Sequence, residues 1–206
     1  MLDVLLTGVG GQGTVLAAKL LAQAAEGRGW AVRTAETIGM AQRGGNVVSH
    51  VRMASAGQRV SSPLLPRGSA DLIVAFEPIE AARTLVYLGP HGVLVSARSS
   101  IQPLAVALDR RAAVASNPLD MLQTAFGQCP QRLVLVDDER LLQRVGSRKA
   151  LNVVLLACAL AHADVPLGLD DLRQAVRACV RPRFVDMNLH AIDVVEESQA
   201  ALRGGS

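Results

Sequence analysis

Residues 2–14 read LDVLLTGVGGQGT. The mostly apolar run at 2–6 has the length and character of a short buried strand. Glycines follow at positions 8, 10, 11 and 13. Residues 14–26, TVLAAKLLAQAAE, are built from Ala and Leu, strong helix formers, and Gly27 and Gly29 close the run. A second strand is predicted over 30–35. Strand, glycine turn, helix and strand in that order predict a parallel sheet with a right-handed crossover.

Further along, IGMAQRGGN at 38–46 carries no regular pattern. Residues 47–53 alternate like a strand, Ala56 and Gly57 suggest a turn, and 58–62 is expected to return as the hairpin partner. The α/β rhythm then resumes. DLIVAF at 71–76 reads as a strand and 77–88 as a helix with Pro78 in its first turn. Strands are expected at 92–96, 112–116 and 133–136, with a helix near 118–126. Helices are expected near 138–145, 148–162, 170–180 and 185–202. No repeat, low-complexity block or linker divides the chain. The expectation is one α/β domain over 1–206: a Rossmann-like, mostly parallel sheet with a hairpin insertion and a C-terminal helical appendage over about 138–202.

The composition narrows function. Of 206 residues half are hydrophobic, yet only three are Phe, one Trp and one Tyr. Stacking platforms for single-stranded nucleic acid need exposed aromatics, and so few aromatic residues argue against them. The net charge is +3 and its arginines are scattered, so an anionic small ligand or an acidic partner fits better than a nucleic-acid footprint. Cys129, Cys158 and Cys179 form no C-x-x-C pair, which argues against a disulfide framework, a zinc site or a self-contained iron–sulfur cluster. The first residues lack a basic leader, and the apolar run near 151–161 is broken by His162 and Asp164. A cytoplasmic protein without a membrane span is therefore expected. His50, His91, His162 and His190 show neither metal spacing nor a nearby nucleophile.

Two constellations carry chemistry. Gly8, Gly10 and Gly13 make a G-x-G-x-x-G between strand and helix, and Gly11 and Gln12 lie inside it. Glycine permits positive φ and close backbone approach, and the helix start favours an anion, with phosphate the natural guest. Glycines serving only tight helix–strand packing is the plainer alternative. Glu36, 28 positions after Gly8, stands where a dinucleotide site would place its ribose-binding acid, somewhat later than the usual ~20. A free-standing NAD(P)-binding Rossmann oxidoreductase stays open on that ground. The second constellation is Gln42-Arg43-Gly44-Gly45-Asn46, followed by His50 and Arg52 on one face of an extended segment. The glycines allow a sharp turn that would bring the Arg43 fork to a carboxylate or phosphate. Solvated charges on a loop and hairpin are the alternative, and a non-enzymatic interaction or oligomerisation module is a third reading, with a homodimer as one form.

GVGGQG at 8–13, ETIGMAQRGGNVVSHVR at 36–52 and ADLIVAFEPIEAAR at 70–83 together resemble the gamma-type domain of 2-oxoacid:ferredoxin oxidoreductases. The indolepyruvate type, where this unit is called the beta subunit, is the nearest in character. IQP at 101–103 and GSRKALNVVLLA at 146–157 extend the resemblance over most of the chain. The resemblance implies an accessory subunit of an enzyme that cleaves 2-oxoacids oxidatively, passes electrons to ferredoxin and forms an acyl-CoA. It implies that thiamine diphosphate and iron–sulfur clusters sit on a larger partner subunit, and that coenzyme A is handled near this domain. It further implies that Gly10, Gly11, Gln12 and Gly13 form an anion-binding turn, with Gln42, Arg43 and Gly44 in a loop facing the partner's reaction centre or the coenzyme A. Relatives often carry Asn where this chain has Ser96-Ala97-Arg98.

Overall fold

A computed structural model describes residues 1–39, 45–55, 57–100 and 117–204. Strand β1 (Leu2–Val9) leads through α1 (Thr14–Gly27) to β2 (Ala31–Ile38) and back along β3 (Asn46–Ala54). After a coil come β4 (Ala70–Ala75), α2 (Pro78–Thr84) and β5 (Leu88–Ala97). The remainder runs α3 (Pro118–Ala125), β6 (Leu133–Val136), α4 (Asp138–Val145), α5 (Leu151–His162), α6 (Leu169–Cys179) and α7 (Pro182–Gly204). The six strands lie in the order β2-β3-β1-β4-β5-β6. β1, β4, β5 and β6 are parallel neighbours, while β3 runs antiparallel to both β1 and β2. The sheet is thus mostly parallel and Rossmann-like.

The hairpin needs a correction. Its second arm is β2, not residues 58–62. Both edges of β3 are taken, by β1 on one side and β2 on the other, so no edge remains for a returning strand. Residues 58–62 form no strand and lie beside the sheet, fixed by side chains from β3. Arg52 donates to the Ser62 carbonyl (3.2 Å) and pairs with Asp3 (3.0 Å). The Leu65 N–H donates to His50 Nδ1 at 3.2 Å. The βαβ crossover also differs in detail: β1 and β2 run parallel, but with β3 between them. The expected strand at 112–116 lies outside the described residues.

Two apolar layers clothe the sheet. On one face Val4 and Leu6 of β1, Val51 and Met53 of β3, and Leu72 and Val74 of β4 meet α1, α5, α6 and α7. On the other, Leu5, Ile73 and Leu94 meet Ala81 of α2 and Leu122 of α3. Helix α5 buries every residue from Asn152 through Leu160, as expected of a helix apolar all round. The helical C-terminal segment is therefore present, and α5 within it covers one face of the sheet rather than standing apart. No helix of the described residues is long and apolar enough to cross a membrane.

Candidate functional site

The chain leaves β1 towards β2 and β3 on one side and reaches β4, β5 and β6 on the other. The carboxyl ends of β1 and β4 therefore flank the point where the strand order reverses. Helix α1 leaves β1 on one face and α2 leaves β4 on the opposite face. Open α/β sheets bind ligands in the crevice that this arrangement creates.

The glycine turn lines that crevice. Gly11 and Gly13 have φ of 99° and 83°, a region where a side chain is strained. Gly13 is the N-cap of α1 and supplies no side-chain cap. A Cβ on Gly13 would lie 2.8 Å from the Asn152 side-chain nitrogen, and one on Gly8 would meet Gln12 Oε1 at 2.6 Å and the Phe76 ring. Gly8 and Gly13 are thus packing positions. For Gly11, none of the described residues lies within 4 Å of such a Cβ.

Hydrogen bonding divides the turn's amides into two groups. The Gly10 N–H donates to the Gly45 carbonyl (3.0 Å) and the Gln12 N–H to the Val9 carbonyl (3.2 Å). The N–H groups of Gly11, Gly13, Thr14 and Val15 have no hydrogen-bond partner among the described residues. The Thr14 hydroxyl is likewise buried and unpartnered there. Several free amides at the start of a 14-residue helix hold partial positive charge, which suits a phosphate or carboxylate.

The Gln12 side chain turns inward. Its Oε1 accepts from the Val9 N–H at 2.9 Å. Its Nε2 donates to Glu77 Oε1 (2.7 Å) and to the Phe76 carbonyl (3.3 Å). Asn152 Nδ2 donates to the Gly13 carbonyl at 3.4 Å, tying α5 to the turn. Glu77, Asp138, Ser99, Ser100 and Asn152 belong to this region, and the sequence reading did not single them out. The signals for Glu77 were its place directly after the apolar run 71–76 and before Pro78, and its inclusion in the family-like segment 70–83.

Other expected residues fall as follows. Gln42, Arg43 and Gly44 lie outside the described residues, as does the segment 101–103. Gly45, at the end of that loop, touches the glycine turn through Gly10, so the two constellations meet there. His50 and Arg52 do share a face, where they hold the coil down. Burial keeps the His50 imidazole below its ordinary pKa, and Tyr87 packs edge-on against it at 5.8 Å. Glu36 sits exposed on β2, and β3 separates it from β1. Two strand spacings of about 4.8 Å each stand between Glu36 and the turn's own strand. A dinucleotide site would have β2 next to β1, so this arrangement disfavours Glu36 as a ribose-binding acid. Burial and the Asp138 charge push the Cys158 thiol up to about 12, which leaves it without nucleophilic character. No cluster of three or more His, Cys, Asp or Glu that could hold a metal occurs among the described residues.

Fold and turn together define an α/β domain whose first helix starts at a strand-order reversal. A family model described as pyruvate ferredoxin/flavodoxin oxidoreductase matches residues 3–196. The chain belongs to that family. It is 34% identical over 192 residues to the indolepyruvate oxidoreductase subunit IorB of Archaeoglobus fulgidus, covering 93% of this chain and 92% of that one. It is 34% identical over 197 residues to the subunit of the same name from Thermococcus kodakarensis, covering 93% of each. Among solved structures, the gamma subunit of a keto/oxoacid ferredoxin oxidoreductase from Geobacter sulfurreducens superposes with a TM-score of 0.66 at 20% identity, covering 97% of this chain and 99% of that one. The 2-oxoglutarate:ferredoxin oxidoreductase of Magnetococcus marinus, solved with 2-oxoglutarate, coenzyme A and succinyl-CoA bound, also gives 0.66 at 16% identity. That match covers 95% of this chain and 31% of the longer one. These likenesses at low identity concern the fold.

Proposed function

We propose that this chain is the small subunit of a 2-oxoacid:ferredoxin oxidoreductase of the indolepyruvate type, and that its glycine turn holds a phosphate of coenzyme A beside a partner's reaction centre. The observation that carries the reading is the set of amides at Gly11, Gly13, Thr14 and Val15, which have no partner among the described residues and stand at the strand-order reversal. Gly10 shapes the turn against Gly45, and Gln12 braces it from behind. Gln42, Arg43 and Gly44 complete the ligand-facing rim in this reading. The relatives named as indolepyruvate oxidoreductase subunits support the division of labour, because the chain spans nearly their whole length.

Oxidative cleavage of a 2-oxoacid needs a carbanion-stabilising cofactor and one-electron carriers. Thiamine diphosphate and iron–sulfur clusters on a larger partner subunit supply these, and ferredoxin takes the electrons from the complex. This chain orients the thiol-bearing acceptor and shields it from water. Its three unpaired cysteines suit the reducing cytoplasm.

The test is reconstitution. The purified chain alone should show no reduction of ferredoxin or of a viologen dye with an aryl pyruvate and coenzyme A. Activity should appear on adding the thiamine-binding partner. Robust turnover by the isolated chain overturns the division of labour. Arg43→Ala should lower the activity of the complex while its melting temperature stays unchanged; full activity in that variant removes Arg43 from the rim.

A further inference from the structure

Three loops leave the carboxyl ends of β1, β4 and β5, and two buried carboxylates tie them together. Glu77, at the end of β4, is 2% exposed. Its Oε1 accepts from Gln12 Nε2 in the glycine turn at 2.7 Å, and its Oε2 accepts from the Ser100 hydroxyl at 3.0 Å. Asp138, at the start of α4, is 1% exposed. Its Oδ1 accepts from the N–H groups of Arg98 and Ser99, each at 3.0 Å, and its Oδ2 accepts from the Ser99 hydroxyl. The turn after β1 is thus fixed to the segment after β5 across the crevice, with Glu77 as the shared point.

A carboxylate is an expensive group to bury, and an apolar side chain would fill this space at lower cost. A carboxylate does what an apolar side chain cannot. It holds two donors from different loops in fixed directions. Gln12 has no conformational slack either, since Val9, Phe76 and Glu77 occupy both ends of its amide. A shift of Glu77 therefore moves the backbone at Gln12, and with it the free amides of Gly11 and Gly13 on either side.

We infer that Glu77 is a positioning residue for the anionic ligand: through Gln12 it sets the placement of the turn's free amides, and through Ser100 it fixes the opposing rim. Glu77 itself does not touch the ligand. The assignment rests on the proposed reading of the turn as a coenzyme A phosphate site. It extends that reading to a side chain that works through its neighbours.

The experiment uses the reconstituted complex with coenzyme A as the probe, and reads steady-state kinetics together with amide exchange in a peptide spanning residues 8–16. In the wild type, coenzyme A should slow exchange in that peptide. Glu77→Ala should raise the KM for coenzyme A about tenfold while kcat stays within about twofold, as expected for loss of a charge-assisted hydrogen bond that acts on binding. It should also abolish the ligand-induced protection. Glu77→Gln, which keeps an acceptor for Gln12 and a partner for Ser100, should restore most of both. If Glu77→Ala fails to fold, Gln12→Ala breaks the same link from the outer side and is expected to give the same KM effect. Wild-type protection that persists unchanged in the variants, with an unaltered KM, overturns the positioning role alone. Absence of any protection in the wild type overturns the ligand reading and the positioning role together.

Discussion

Strands β4 and β2 belong to one sheet and live in different surroundings. Five of the six residues of β4 are buried, whereas none of the eight in β2 is. β4 is central, with helices on both faces, and from Leu72 its sequence is an apolar run that continues past the strand into Phe76. β2 is an edge strand whose Arg33, Thr34, Glu36, Thr37 and Ile38 all face solvent. Strand pairing, parallel for β4 and antiparallel for β2, thus serves two purposes. β4 anchors the crevice by burial, and β2 contributes chain direction, returning the backbone to β3. Stability should be concentrated in the strands next to the glycine turn, and the far edge should tolerate change.

The largest expected effect tests that contrast directly. Leu72→Ala on β4 should cost about 3 kcal/mol in urea denaturation, the usual range for a buried Leu, because the side chain is fully buried and the surrounding layers cannot close the space. Thr34→Ala on β2 should change stability by less than about 0.5 kcal/mol. Equal costs would mean that the edge is covered in the native assembly. Next in size is a comparison within the turn. Gly11→Ala carries only the strain of positive φ, roughly 1–2 kcal/mol. Gly13→Ala adds the clash with Asn152 and should cost clearly more. If the two substitutions prove equivalent, the contact between turn and α5 is looser than drawn. Asn152→Gly should narrow the gap between them.

A smaller, pH-dependent effect concerns the coil over β3. His50 must stay neutral at Nδ1 to accept from the Leu65 N–H. Burial lowers its folded pKa below the ordinary 6.5, so the unfolded chain takes up the proton first. Its contribution to stability is complete above 6.5 and is lost as the pH falls from 6.5 through the lower folded value. His50→Gln, which can still accept that bond, should flatten the stability profile between about pH 7 and pH 5. A profile of unchanged slope would show that other groups govern it. The smallest effect is expected from Glu36→Ala, which should leave both stability and coenzyme A kinetics within experimental error. A raised KM in that variant would bring the β2 edge back into the site.

Much of this was legible in the chain itself. The turn at 8–13, the helix after it and the apolar run at 71–76 each follow from local chemistry, and each stands where the periodicity puts it. The partner of β3 was not legible. Alternation shows that residues 47–53 are extended, but it does not say which neighbour completes the ladder. β2 ends at Ile38 and β3 begins at Asn46, so the two strands of that pair are neighbours in sequence. The crevice was only half legible. Gly11 and Gly13 announce the turn through backbone freedom. The Gln12–Glu77 bond joins residues 65 positions apart, and no local pattern encodes such a distance. A Glu before Pro78 reads as an ordinary helix start until the fold brings Gln12 against it.

Helix α5 has a bearing on biosynthesis. The layer it lays over β4, β5 and β6 comes from residues 151–162, long after those strands have been translated, apart from the nearby β6. A growing polypeptide therefore emerges from the ribosome with an uncovered aliphatic surface and cannot seal it until Leu160 is clear of the exit tunnel. Truncation before that point should leave this surface uncovered, and such a fragment is expected to aggregate.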